Sequence, residues 1–209
     1  IAIEPQTGYI KAWVGDINFD FWKYDKITSK RQPGSTFKLF VYTAAMNKGM
    51  SPCDKTTDEY VEWNYTENGE PKKWVPQNVE VAYTGDTVTL KYAFARSINS
   101  IAVKIAQEVG ISEVIKTAYN LGIKTKLERT PSVCLGSSDV SLLELVNSYC
   151  TVINEGIRND EPIMFTRIED KDGNVLYENK VQRTKVLSYE TSFLMTQMLL
   201  GGLTEPLGT

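Results

Sequence analysis

The 209-residue sequence predicts an α+β domain with a mostly helical middle. Three observations carry this. β-rich runs bounded by turn residues lie towards both ends of the chain, and residues 88–153 repeat apolar side chains at helical spacing. Residues 36–46 are apolar all round apart from one lysine, the pattern of a helix enclosed in a core rather than laid on a surface.

Ile1-Ala2-Ile3-Glu4 and Tyr9-Ile10-Lys11-Ala12-Trp13-Val14 flank Pro5-Gln6-Thr7-Gly8, whose turn chemistry predicts an opening hairpin. A sequence that starts inside a strand is expected to be cut from something longer. Residues 16–30 are polar and aromatic without a period and read as a loop. Pro33 and Gly34 punctuate the start of the central helix, and Asn47-Lys48-Gly49 supplies its stop. In residues 51–86, Val61, Trp63 and Tyr65 alternate towards Asn68-Gly69, a two-residue hairpin signal, while Pro71 confines the return strand to an edge. The aromatic side chains there read as a local mini-core rather than a ligand platform.

From Val88 the pattern is helical. Leu90, Ala93 and Phe94 share a face ending at Arg96; Ile101, Ala102, Ile105 and Val109 share another, ending at Gly110. Ser112-Glu113 opens a helix to about residue 121, and Ser141-Leu142-Leu143-Glu144 is a capping-box pattern ahead of a helix over 142–153. Residues 163–169 and 174–178 flank Lys171-Asp172-Gly173 as a further hairpin. A last helix spans 188–200, with Gly201-Gly202 as its stop.

Composition excludes several function classes. With 42% hydrophobic and 11% aromatic residues there is material for a core, and a net charge of -3 without a basic block argues against nucleic acid as partner. No apolar run reaches the ~18–20 residues of a membrane helix, so any segment that targets or anchors the protein is expected outside this sequence. Cys53, Cys134 and Cys150 fit neither a disulfide framework nor a zinc site and read as buried thiols. There is no histidine. That excludes a Ser-His-Asp triad, a Cys-His dyad and any His-ligated metal, leaving lysine, a carboxylate or tyrosine to activate a nucleophile.

Ser35 sits at the mouth of the apolar helix and Lys38 one turn behind it. Burial disfavours the ammonium form, and side chains three apart meet on one helix face, so Ser35 and Lys38 read as nucleophile and base. Ser-x-x-Lys alone is weak: a plain N-cap serine and a snorkelling surface lysine give the same letters. The apolar surroundings of Lys38 and a second motif decide against that. Ser97-Ile98-Asn99 falls on a turn between two helices, where a hydroxyl and an amide can face one cleft; the competing role for Asn99 is to cap a helix starting at Ser100.

Arg31-Gln32-Pro33-Gly34-Ser35-Thr36-Phe37-Lys38, followed by Val88-Thr89-Leu90 and Arg96-Ser97-Ile98-Asn99, resembles the transpeptidase domain of class A penicillin-binding proteins. Ser-x-x-Lys, Ser-Asp-Asn and Lys-Thr-Gly are the motif set of penicillin-binding proteins and class A β-lactamases; here Ile98 replaces the Asp, as on the penicillin-binding side. Ile3-Glu4-Pro5-Gln6-Thr7-Gly8 resembles the opening strand pair, and Pro131-Ser132-Val133-Cys134-Leu135-Gly136 with Ser141-Leu142-Leu143-Glu144-Leu145 a later helical segment. No Lys-Thr-Gly occurs in the 209 residues. The resemblance therefore implies a penicillin-binding protein/serine β-lactamase-like fold, an antiparallel sheet packed with helices plus a helical subdomain, truncated before its last strands, with residues 1–209 as one incomplete transpeptidase domain.

The resemblance also implies a serine D-alanyl-D-alanine transpeptidase that cross-links peptidoglycan stem peptides and is acylated by β-lactams, without cofactor or metal. Ser35 would attack, Lys38 take the proton, Ser97 relay one to the leaving amine, and Asn99 bind a donor-peptide amide or the lysine. The fragment alone is expected to be impaired. A β-lactamase-like hydrolase and a β-lactam-sensing receptor module are the alternatives on the same fold. Glu144 reads as a cap rather than a deacylating base. By the same resemblance the full-length protein is expected on the outer face of the cytoplasmic membrane, anchored there and preceded by a glycosyltransferase domain.

Overall fold

In the computed structural model, which describes all residues except 19, 22, 68, 77, 79–82, 206–207 and 209, the chain is built around one buried helix. The opening hairpin forms as expected, β1 (Ala2–Ile3) pairing antiparallel with β2 (Ile10–Ala12). The loop that follows ends in β3 (Lys30–Arg31), and a 3-10 turn, Gly34–Phe37, leads into α1 (Lys38–Asn47). Next come β4 (Lys55–Thr57), β5 (Trp63–Glu67), β6 (Glu70–Trp74) and β7 (Thr87–Thr89). The helical middle is α2 (Leu90–Ala95), α3 (Asn99–Val109) and α4 (Ile111–Leu121). A second 3-10 turn, Pro131–Leu135, precedes β8 (Val140–Ser141) and α5 (Leu142–Ile153). The order closes with β9 (Ile157–Asn159), β10 (Arg167–Glu169), β11 (Val175–Glu178), β12 (Arg183–Lys185) and α6 (Tyr189–Thr204).

Every α1 residue from Lys38 to Met46 is buried. Its sequence offers no polar stripe to turn towards water, so α3, α4 and α6 enclose it. Phe40 and Tyr42 of α1 share one core with Ile101 and Val103 of α3, Leu121 of α4, and Met195 and Met198 of α6. Each such side chain contributes about 1.5–3 kcal/mol on burial. The three hairpins expected from the sequence form as antiparallel two-stranded ribbons, β1-β2, β5-β6 and β10-β11. Among the described residues three pairings that the sequence did not announce, β3-β8, β4-β7 and β9-β12, join segments distant in the chain.

Three expectations change. The last helix does not stop at Gly201-Gly202 but runs on to Thr204. Gly201 is buried inside α6, where a Cβ would meet Lys91 Cε at 3.4 Å and Ala95 Cβ at 3.7 Å, ordinary contact distances, so this glycine is a helical residue packed on α2 rather than a stop. Cys53 is exposed, because it lies in the turn between α1 and β4; only Cys134 and Cys150 are buried. The aromatic side chains of the β5–β6 hairpin do not form a separate mini-core: Trp63 and Trp74, directly paired across the strands, pack on the main one. Asn68, half of that hairpin's turn signal, lies outside the described residues. Pro71 occupies a two-stranded ribbon, where a missing N–H is tolerated.

Candidate active site

The approach to α1 determines how Ser35 and Lys38 meet. Three residues complete one turn of a 3-10 helix, so side chains at i and i+3 eclipse, and the turn Gly34–Phe37 therefore sets Ser35 directly above Lys38. An α-helical start, as the sequence suggests, would stagger them. Two long-range contacts hold the turn: Tyr149 Oη donates to Thr36 O at 3.0 Å, and Gly34 N–H donates to Gly136 O at 3.3 Å. Ser35 is exposed while Lys38 is only 2% exposed, so the pair straddles the boundary between water and core.

Lys38 Nζ donates to Ser35 Oγ at 3.2 Å, Ser97 O at 2.6 Å, Ser97 Oγ at 2.9 Å and Asn99 Oδ1 at 2.6 Å. The other three residues singled out in the sequence thus converge on the lysine nitrogen. An ammonium has three protons for these four acceptors, and a neutral amine two protons and a lone pair. Burial pushes Lys38 down to about 8, with the Cys134 thiol opposing. A lysine so placed holds both forms within reach of neutral pH, next to a hydroxyl that faces solvent.

Ser97 has φ +54, the left-handed region, which costs a non-glycine residue about 1–2 kcal/mol. The cause is a complete helix C-terminal closure: Ser97 N–H donates to Phe94 O and Ile98 N–H to Ala93 O, both at 3.0 Å, with Ser97 at the position glycine usually takes. That backbone aims both the Ser97 carbonyl and its hydroxyl at Lys38. Asn99 does not cap a helix; it is the first residue of α3, and its carboxamide oxygen is committed to the lysine.

Sequence reasoning missed Tyr149, Gly136 and the proximity of Cys134 to Lys38. Cys134 was legible as a buried thiol, and burial pushes it up to about 12, so it packs as a neutral side chain. Glu144 completes the capping box with Ser141 and also accepts from the N–H groups of Lys124 and Thr125, at 2.9 and 2.8 Å. A cavity of about 810 Å³ between Trp13, Tyr119, Arg158, Phe165 and Tyr177 lies elsewhere and is lined by none of the four site residues. Among the described residues, no cluster of cysteine or carboxylate side chains is placed to hold a metal ion.

The penicillin binding protein transpeptidase domain family matches residues 1–206. Penicillin-binding protein 2D of Bacillus subtilis is 35% identical over 201 residues, covering 96% of this chain and 29% of that protein. Penicillin-binding protein 1A of Rickettsia prowazekii is 32% identical over 178 residues, covering 85% and 22%. The chain therefore spans less than a third of the length of these curated relatives. Among solved structures, penicillin-binding protein 1A from Haemophilus influenzae superposes with a TM-score of 0.87 at 23% identity, over 99% of this chain and 35% of that one. PonA1 from Mycobacterium tuberculosis in complex with penicillin V gives 0.79 at 19% identity, over 94% and 53%. With a family match that runs almost end to end, the chain belongs to the penicillin-binding protein transpeptidase domain family.

Proposed function

We propose that this chain carries the acyl-transfer centre of a serine D-alanyl-D-alanine transpeptidase that cross-links peptidoglycan stem peptides, and that β-lactams acylate the same serine. The observation that supports it is the buried Lys38 Nζ, shared by Ser35 Oγ, Ser97 Oγ and Asn99 Oδ1. In this reading neutral Lys38 takes the Ser35 proton as Oγ attacks the carbonyl between two D-alanines. Ser35 N–H, at the start of a helical turn, faces the developing oxyanion. The tetrahedral intermediate collapses as the C–N bond breaks, and the proton passes from Lys38 through Ser97 Oγ to the departing D-alanine amine. An acceptor amine then attacks the acyl ester, its proton returning by the same route, and Ser35 is released. Asn99 holds Lys38 and an amide of the donor peptide.

On this reading residues 1–209 supply two walls of the cleft, and a Lys-Thr-Gly strand, absent from these residues, comes from outside them. The same reading puts the protein at the outer face of the cytoplasmic membrane, with anchor and glycosyltransferase domain elsewhere in the native chain. No described helix is long and apolar enough to cross a membrane.

The test is labelling by a fluorescent penicillin of the native protein that carries this chain, beside Ser35→Ala and Lys38→Ala. Wild type is expected to form a stable adduct, Ser35→Ala none, and Lys38→Ala an adduct formed far more slowly. Equal labelling of wild type and Ser35→Ala would remove the serine from the reaction. Sustained turnover of the penicillin would make the protein a hydrolase instead.

A further inference from the structure

α3 delivers Asn99 to Lys38, yet α3 has no cap of its own. Its N-cap residue is Ile98, whose side chain offers no acceptor. The first two amides, Asn99 N–H and Ser100 N–H, both donate to Asn78 Oδ1, each at 3.1 Å. Asn78 is reached from the segment after β6, 21 residues upstream of Asn99. Its other end is fixed too: Asn78 Nδ2 donates to Asp58 Oδ1 at 2.9 Å. Ser100 Oγ donates to the same carboxylate oxygen, and Thr84 N–H and Oγ1 donate to the second one at 3.0 and 3.1 Å.

Asp58 is only 2% exposed, and its backbone is pinned as well, N–H to Asp86 O at 2.9 Å and O to Gly85 N–H at 2.8 Å. Burial raises its pKa, but the hydrogen bonds from Ser100, Thr84 and Asn78 outweigh that and hold it below the usual value. A buried anion behind the positive end of α3 is favourably placed. The chain of contacts runs from Asp58 to Asn78, to the first turn of α3, to Asn99 Oδ1 and so to Lys38 Nζ.

We propose that Asn78, anchored by Asp58, is a positioning residue for the acyl-transfer centre: it caps α3 from outside and thereby fixes the direction from which Asn99 meets Lys38. Neither Asn78 nor Asp58 touches Ser35 or Lys38; they act through the first turn of α3. Its effect is on where Asn99 holds the lysine relative to Ser35, and a displacement of about 1 Å at a reacting centre can cost up to about 100-fold in rate. The inference rests on the transpeptidase reading above.

The test uses the native protein carrying this chain and a fluorescent penicillin, separating the acylation rate constant from the affinity of the pre-covalent complex. Amide hydrogen exchange at Asn99 and Ser100 is followed in parallel. Asn78→Ala is expected to lower the acylation rate constant about 10- to 100-fold, leave the pre-covalent affinity within about 2-fold, and speed exchange at both amides. Asn78→Asp keeps an acceptor but sets it against the Asp58 carboxylate, so it is expected to be as slow. The swapped pair Asp58→Asn with Asn78→Asp restores a donor facing an acceptor and is expected to recover most of the loss. If Asn78→Ala fails to fold, the last two variants read the same relationship.

Acylation by Asn78→Ala at the wild-type rate, or a loss that tracks melting temperature and is not recovered by the swap, would overturn the inference while leaving the transpeptidase reading intact. Wild-type protein that takes no label would overturn the transpeptidase reading and, with it, this one.

Discussion

The backbone of Gly136 crosses that of Gly34 so closely that a Cβ on Gly136 would fall 2.2 Å from Gly34 O and 2.6 Å from Gly34 N. Both residues are in the left-handed region, Gly34 at φ +57 and Gly136 at φ +79. The turn that presents Ser35 is therefore braced from beneath by the residue that ends the Pro131–Leu135 turn. Neither obstacle at Gly136 is a side-chain tip that could swing aside.

Gly136→Ala is expected to destabilise the protein well beyond the ~1–2 kcal/mol of left-handed strain alone, and to slow penicillin acylation by shifting Ser35. Gly49→Ala supplies the control, since Gly49 has φ +91 but nothing within 4 Å of a Cβ. Denaturant melts of the two variants give the clash as their difference. Equal losses would mean that the crossing carries no strain.

Lys38 links stability to pH. The folded chain releases its proton near 8 and the unfolded chain near 10.5. Below about 8 both states are protonated and the cost of the buried ammonium, roughly 3 kcal/mol, is fully present. Between 8 and 10.5 the unfolded state binds more protons, so stability is expected to rise with pH across that window. Lys38→Met removes this contribution, and the wild-type-minus-variant difference in urea unfolding at pH 7, 8 and 9 isolates it from other titrations. Acylation by penicillin is expected to quicken through the same midpoint. A difference that stays flat from pH 7 to 9 would contradict both.

The features legible in the sequence are local ones. Lys38 stood out because its neighbours along the chain are apolar, and Ser141 and Glu144 because a capping box is a four-residue device. What escaped depends on distant chain segments meeting. The Asn78 amide beneath Asn99, the Gly136 backbone beneath Gly34 and the Tyr149 hydroxyl on Thr36 leave no periodic trace. Gly201 was misread because a Gly-Gly pair commonly ends a helix, whereas here α6 continues to Thr204 where it packs on α2, a contact between segments far apart in the chain. Ser97 gave its identity but not its backbone, since its left-handed φ follows from the closure of α2.

Ser97 exchanges stability for chemistry. Ser97→Gly relieves the left-handed strain and is expected to raise unfolding stability by about 1 kcal/mol. The same change deletes the hydroxyl that lies 2.9 Å from Lys38 Nζ, and acylation is expected to fall by about 100-fold or more. Ser97→Ala loses the hydroxyl without relieving the strain, so the two variants should match in rate and differ in stability. Rates near wild type in both would remove Ser97 from the proton path.

Glu144 separates a structural carboxylate from a reacting one. It accepts from Ser141 N–H at 3.0 Å, from Lys124 and Thr125 N–H at 2.9 and 2.8 Å, and from the Ser141 and Thr125 hydroxyls. Burial raises its pKa, but hydrogen bonds from Ser141, Lys124 and Thr125 outweigh that and hold it below its ordinary value. A lowered carboxylate contributes stability above its unfolded pKa, and that contribution is lost as pH falls through the folded one. Glu144→Ala removes the carboxylate half of the capping box, leaving Ser141 as N-cap, and strands two loop amides, for an expected loss of about 2 kcal/mol at pH 7 that shrinks as the pH drops below 4.5. Corrected for the unfolded fraction, its penicillin acylation and its deacylation are expected to stay at wild-type rates. A slower release of the bound penicillin in this variant would instead make Glu144 a participant in hydrolysis.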